Sequence, residues 1–228
     1  MTGRGWSVDA WRQWGAAFAL SHDGNFFEHG PETGLLRHVS TDTRTQTQPS
    51  KSIFFALVGP WHDGHDHLQE AYDAGVRRWV VGRIPQKSVR WTQDSDVLVV
   101  PDVILALQHL ALTQRHTFHG PVLAVTGSNG KTTVKEWIAS LLPERSAIHR
   151  SPLSHNSQLG VPLSVWSIDE HHDISLIEAG ISMPGEMVKL RECICPTEGV
   201  LTHLGEAHVG NFENAEHLAR EKCALFKD

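Results

Sequence analysis

The chain has 228 residues, with 20 Lys and Arg against 26 Asp and Glu, a net charge of −6 with histidine neutral, and 40% hydrophobic residues. That length allows one large domain or two small ones with packed cores, while the scattered cations exclude the basic face of a nucleic-acid binder and no run nears the ~18 apolar residues of a membrane span. Cys193, Cys195 and Cys223 have neither disulfide-framework nor metal-site spacing, and the first six residues carry no apolar leader, so a cytoplasmic protein is expected.

Residues 1–20 are mixed and tryptophan-rich, with no more than a short helix predicted at the start. A strand is predicted at 35–39, then the polar turn Thr41-Asp-Thr-Arg44. A strongly apolar strand follows at 52–58, ended by Gly59-Pro60. Trp61-His-Asp-Gly-His-Asp-His67 holds three histidines that read either as a metal site or, given its Gly and Asp, as a loop. A helix at 67–74 closes at Gly75, and strands follow at 78–81 and 97–100. Pro101 is placed at the first position of a helix running to 115 with a broad apolar stripe. His116-Thr-Phe-His-Gly-Pro121 breaks the pattern, so the domain boundary is expected near 118, with domains 1–118 and 119–228. The second half reads as strand 121–126, helix 132–142, strands near 146–149 and 173–178, helix 184–191, strand 199–203 and helix 212–226. Alternating strands and helices imply an α/β fold on both sides, the second a mainly parallel, doubly wound sheet with fewer strands than such sheets usually have.

Gly127-Ser128-Asn129-Gly130-Lys131-Thr132-Thr133 lies between the strand at 121–126 and the helix after it. Glycines let backbone N–H groups approach phosphate oxygens, the helix N-terminus adds a favourable dipole, Lys131 supplies a point charge and the Thr132 hydroxyl is a magnesium donor. The spacing departs from G-x-x-x-x-G-K-[ST], because Val125 stands where the first glycine belongs. Other polar residues fall at the C-terminal ends of predicted strands, the edge at which open α/β sheets bind ligands. Glu178 reads as a magnesium ligand or water positioner, or else as a carboxylate capping the next turn. His203 and His208 are equally placed to reach a metal. Asn156 and Ser157 read either as substrate hydrogen-bonders or as caps of the helix that follows. Lys222, by pattern alone, is an ordinary solvated lysine.

Together these stretches resemble the Mur ligases, ATP-dependent amide-bond formers of peptidoglycan synthesis. Thr126–Thr133 is similar to their variant P-loop, and Ser40-Thr-Asp-Thr-Arg44, Ser52-Ile-Phe-Phe-Ala56 and Gly59-Pro-Trp-His-Asp-Gly-His65 resemble their N-terminal UDP-sugar domain. The resemblance spans about residues 36–228. Lys135-Glu136, Asn156-Ser-Gln-Leu-Gly-Val-Pro-Leu163 and Ala207-His208 favour the members that add D-alanyl-D-alanine to UDP-N-acetylmuramoyl-tripeptide over those that add the third stem residue. The resemblance implies ATP and Mg2+ as cofactors, Lys131 on the outer phosphates, metal ligation by Thr132, Glu178 and His208, and carbamylation of Lys222 to support a second magnesium. It also implies Thr43, Arg44, Asp63, Gly64 and His65 as UDP-sugar contacts. His155 stands where relatives commonly carry an aromatic. Because the family has a further C-terminal domain, the chain is expected to be inactive as a ligase alone. The competing readings are a third-residue-adding ligase, a non-catalytic UDP-sugar module, and a small-molecule P-loop ATPase or kinase.

Overall fold

The computed structural model describes residues 2–32, 34–45, 47–85, 91–205 and 209–227, with backbone only at 2–4, 45 and 209. Two compact units emerge, Met1–Leu107 and Gln108–Asp228.

The first unit runs β1 (Thr2–Ser7), α1 (Val8–Ser21), β2 (Asn25–Glu28), β3 (Leu35–Ser40), β4 (Ser52–Phe55), β5 (Val58–Gly59), β6 (His62–Asp63), α2 (Leu68–Asp73), β7 (Arg78–Val81) and β8 (Asp96–Val99). Its six-stranded sheet has the order β1-β3-β4-β7-β8-β2, parallel from β3 to β8 and antiparallel at both edges. The opening segment holds more than the short helix expected. Trp11, Trp14 and Phe18 recur at helical spacing and are buried, and the Ser7 hydroxyl caps α1 by accepting from Ala10 N at 3.1 Å. β1 carries no strand signal of its own; its antiparallel pairing with β3, which sets Trp6 opposite Leu36, makes it a strand.

Two further boundaries differ from expectation. The apolar run 52–58 leaves the sheet at Phe55, and Val58-Gly59 pairs with His62-Asp63 in a small hairpin. Gly64 explains the turn: a Cβ there would lie 2.8 Å from Leu57 N and 2.9 Å from Ala56 Cα, so only glycine permits the loop to fold back this closely. The next helix, α3 (Val103–Arg115), starts after Pro101 rather than on it, because the Asp102 carboxylate accepts from Leu105 N at 2.9 Å and caps the first turn. The division between units falls within α3, upstream of the boundary expected at 118.

The second unit continues with β9 (Val122–Thr126), α4 (Lys131–Leu141), β10 (Ile148–Arg150), α5 (Gly160–Trp166), β11 (Ile174–Glu178), α6 (Glu186–Ile194), β12 (Glu198–Leu201) and α7 (Ala215–Cys223), the last followed by a 3-10 turn at Ala224–Phe226. The strands described are all parallel, in the order β10-β11-β9-β12. From β9 the chain crosses through α4 to β10, whereas from β11 it crosses through α6 to β12, in the opposite direction along the sheet. Right-handed crossovers therefore place α4 and α6 on opposite faces. The chain parts between β9 and β11, opening a crevice at their C-terminal ends. The core below it contains Val122, Ala124, Val161, Val165, Ile177 and Leu190, all fully buried.

Candidate functional site

β9 delivers the glycine loop to this crevice. Gly127 has φ 144° and Gly130 φ 78°, backbone that L side chains rarely adopt, and a Cβ on Gly130 would meet nothing within 4 Å. The loop is braced from β12's end: Ser128 N donates to His203 O at 2.7 Å, the Ser128 hydroxyl donates to Gly205 O at 2.9 Å, and the Thr202 hydroxyl donates to Asn129 O at 2.6 Å. Ser128 N is thus spent on the protein. Among the described residues none accepts from the N–H groups of Asn129, Gly130 or Lys131, which remain at the N-terminus of α4 as donors for an anion. Lys131 Nζ lies over the loop, donating to Gly127 O at 3.0 Å.

β11 delivers Glu178, 1% exposed, and both of its oxygens are engaged. Oε2 accepts from the Thr132 hydroxyl at 2.7 Å and Oε1 from Asn156 Nδ2 at 2.6 Å. The carboxylate therefore faces the first turn of α4 rather than capping the turn that follows β11. Asn156 belongs to the β10–α5 loop and is fixed by its own carbonyl, which accepts from Gly180 N at 2.7 Å. Ser157 takes the capping role, its hydroxyl accepting from Gly160 N at 3.2 Å at the start of α5.

Lys222 is not the solvated lysine that its pattern suggests. It is 2% exposed on α7 and lines, with Gly127, Ser128, Lys131, Asn156 and Gly180, a cleft of about 210 Å³. Burial lowers its pKa, and the nearby Lys131 charge lowers it further. α7 is held there by the Asn214 side-chain amide oxygen Oδ1, which accepts from His217 N at 2.8 Å and caps the helix, and by Glu221 Oε2 accepting from Gly185 N at 2.7 Å. His208 lies outside the described residues. Sequence reasoning used Lys135 only as a subfamily mark and overlooked Ser151. Both are buried, Ser151 Oγ accepting from Glu178 N at 3.1 Å and Lys135 Nζ donating to Ser151 O at 2.6 Å, and the local signal was a lysine one helical turn after Lys131.

In the first unit the expected sugar-nucleotide residues are engaged with one another or with near neighbours. Arg44 makes a two-pronged pair with Asp42, with Nη2 2.6 Å from Oδ2, and holds the Asp42 carboxyl down at about 2. The Thr43 hydroxyl donates to Glu70 at 3.0 Å. His65 is buried, its Nδ1 2.6 Å from Asp63 Oδ1 and its Nε2 accepting from Gly82 N at 3.0 Å and Arg83 N at 3.3 Å. Burial pushes the Asp63 carboxyl up, but Arg83 and His65 outweigh it and keep the group below the usual carboxylate range. The histidine-rich segment is a hairpin and turn stitched to β7. Among the described residues no group of three or more His, Cys, Asp or Glu is arranged to hold a metal.

A parallel α/β sheet, a glycine loop opening a helix with Lys-Thr, and a carboxylate on the adjacent strand define a P-loop nucleotide-binding domain. Residues 125–228 match the Mur ligase middle domain. A UDP-N-acetylmuramoyl-tripeptide–D-alanyl-D-alanine ligase of Synechocystis is 33% identical over 190 residues, 83% of this chain and 41% of that protein. A crystal structure of MurF from Acinetobacter baumannii superposes with a TM-score of 0.84 at 25% identity, covering 99% of this chain and 47% of the other. MurF ligase from Thermotoga maritima in complex with ADP matches with a TM-score of 0.73 at 28% identity, covering 83% of this chain and 43% of the other. The chain belongs to the Mur ligase family. It spans less than half the length of these relatives.

Proposed function

We propose that this chain is the sugar-nucleotide- and ATP-binding part of a ligase that joins D-alanyl-D-alanine to UDP-N-acetylmuramoyl-tripeptide. The observation that carries the reading is that Lys131, Asn156 and the buried Lys222 line one cleft at the C-terminal edge of β9 and β11, with Asn156 bonded to Glu178 and Glu178 to Thr132. Phosphoryl transfer asks a protein mainly for positioning and charge neutralisation, and these groups supply both. The free amides of residues 129–131 receive phosphate oxygens, and Lys131 offsets charge on the outer phosphates.

The oxygen donors of Thr132 and Glu178 suit a hard cation, and magnesium keeps several waters and takes phosphate oxygens, so two protein oxygens suffice. When bound, magnesium neutralises charge on the transferring phosphoryl group. His208 is assigned to the same metal environment from the family resemblance. The lowered pKa of Lys222 favours its neutral amine, the form that adds CO2 to give a carbamate and a proton, so a cation becomes an anion able to support a second magnesium. In the reaction the terminal carboxylate of the tripeptide attacks the γ-phosphorus, ADP leaves, and the amine of D-alanyl-D-alanine displaces phosphate from the acyl phosphate through a tetrahedral intermediate. Thr43, Arg44, Asp63, Gly64 and His65 belong to the region that receives the UDP-sugar, and Asn156 and Ser157 to the loop nearest the reacting carboxylate.

Calorimetric titration with ADP–magnesium and with UDP-N-acetylmuramoyl-tripeptide tests the reading. Lys131→Ala is expected to lose the first and keep the second. Binding of neither ligand by the unsubstituted protein, or ADP binding indifferent to Lys131→Ala, would overturn it.

A further inference from the structure

Lys135 is fully buried, with 0% of its surface exposed, one turn after Lys131 on α4. A buried ammonium is costly unless its donors are used. Lys135 Nζ donates to Ser151 O at 2.6 Å and Leu153 O at 3.2 Å, with the Ser151 hydroxyl at 3.5 Å and Glu136 Oε1 at 3.3 Å. Every oxygen except that of Glu136 belongs to the β10–α5 loop. The Ser151 hydroxyl accepts in turn from Glu178 N at 3.1 Å. The loop is under constraint, since Leu153 has φ 45° without being glycine and its side chain is 82% exposed, so packing of that side chain does not hold it there. Two residues on, His155 N donates to Pro152 O at 3.0 Å, and Asn156 then reaches the Glu178 carboxylate.

We propose that Lys135 is a positioning residue of the nucleotide site: through Ser151 and the strained turn at Leu153 it holds Asn156 against Glu178, and so aims the carboxylate at Thr132. One helix then carries three linked duties, with Lys131 over the glycine loop, Thr132 on the carboxylate, and Lys135 on the loop that fixes the carboxylate's other oxygen. The consequence for magnesium rests on the reading of Glu178 given above; the positioning itself does not.

The experiment is nuclear magnetic resonance on the Asn156 side-chain amide, assigned by its loss in Asn156→Ala, together with ADP titration with and without magnesium. In Lys135→Met the Asn156 amide is expected to move to the position of a free, solvent-exposed amide while the backbone amides of β9 and β11 stay in place. The gain in ADP affinity conferred by magnesium is expected to fall about tenfold or more, the usual cost of removing an outer-shell support, with magnesium-free binding unchanged. An Asn156 resonance unmoved in Lys135→Met overturns the proposal. So does an equal loss of ADP binding with and without magnesium, which is what a merely structural lysine would produce. If magnesium adds nothing to ADP binding in the unsubstituted protein, the metal reading of Glu178 fails, and the Asn156 resonance alone decides the role of Lys135. If Lys135→Met does not fold, Ser151→Ala, which deletes the hydroxyl lying between Lys135 and Glu178 N, is expected to displace the same resonance, and no displacement overturns the proposal.

Discussion

The two units treat their polar residues in opposite ways. In the second, Lys131, Asn156 and Lys222 line one cleft, Asn156 holds the Glu178 carboxylate that accepts from Thr132, and among the described residues the backbone donors of 129–131 are still free. In the first, Arg44 is clasped by Asp42, Thr43 is bonded to Glu70, and His65 is locked between Asp63 and the amides of Gly82 and Arg83. On the function proposed above, the difference separates residues whose side chains face the ligand cleft from residues that shape a loop. A sequence motif marks both kinds alike.

Four measurements break or sharpen this contrast. The largest effect is expected for Lys131→Ala, which removes a charged donor to phosphate worth about 2–3 kcal/mol, or on the order of 100-fold in ADP affinity, with no change in the stability of either unit. A substantial drop in the denaturation midpoint would place Lys131 with the structural residues instead. His65→Ala is expected to do the reverse. It strands the amides of Gly82 and Arg83 and should cost the first unit about 2 kcal/mol in urea unfolding. Unchanged stability with loss of sugar-nucleotide binding would move His65 to the ligand side of the comparison.

The third measurement is a pH titration of stability in the second unit. His149 is buried between the hydroxyls of Ser175 and Ser167, each 2.9 Å from a ring nitrogen, and burial, with a further contribution from His172, lowers its pKa to about 3. The unfolded chain takes up the proton near the ordinary value of ~6.5, the folded chain only near 3, so the stabilisation is complete above pH 6.5 and is lost as the pH falls toward 3. About 2 kcal/mol should be gone by pH 5, and His149→Gln should flatten that part of the profile. A profile already flat in the unsubstituted protein would contradict the assignment. The smallest effect is expected for Arg44→Ala. Its guanidinium is exposed and its pairing with Asp42 is a surface one, so the urea unfolding midpoint should stay where it is in the unsubstituted protein. Any loss of UDP-N-acetylmuramoyl-tripeptide binding would then report on the ligand alone.

Much of the second unit was legible because its signals are local. β9, the glycine loop and α4 occupy one continuous segment, and the end of β11 put Glu178 at the ligand edge by strand length alone. The same holds for β7 and β8, whose short apolar runs are buried on both faces. Reading failed where a remote partner decided the outcome. β1 is a strand through β3, and the apolar run after Phe55 turns because Gly64 packs against it. The helix starts at Val103 and Ala215 differ for a local reason, the adjacent caps Asp102 and Asn214, which the apolar pattern does not mark.

The sequence by itself determined the phosphate-binding turn, since a glycine loop between strand and helix needs only neighbouring residues to take shape. It also carried the family resemblance. What each lysine does was decided only by the tertiary structure. Lys131, Lys135 and Lys222 are the same side chain on helices, yet one lies over the loop, one is spent on the carbonyls of Ser151 and Leu153, and one is buried on α7 with its pKa lowered. Burial and charge proximity come from the segments that fold over a residue, and those segments lie far from it along the chain.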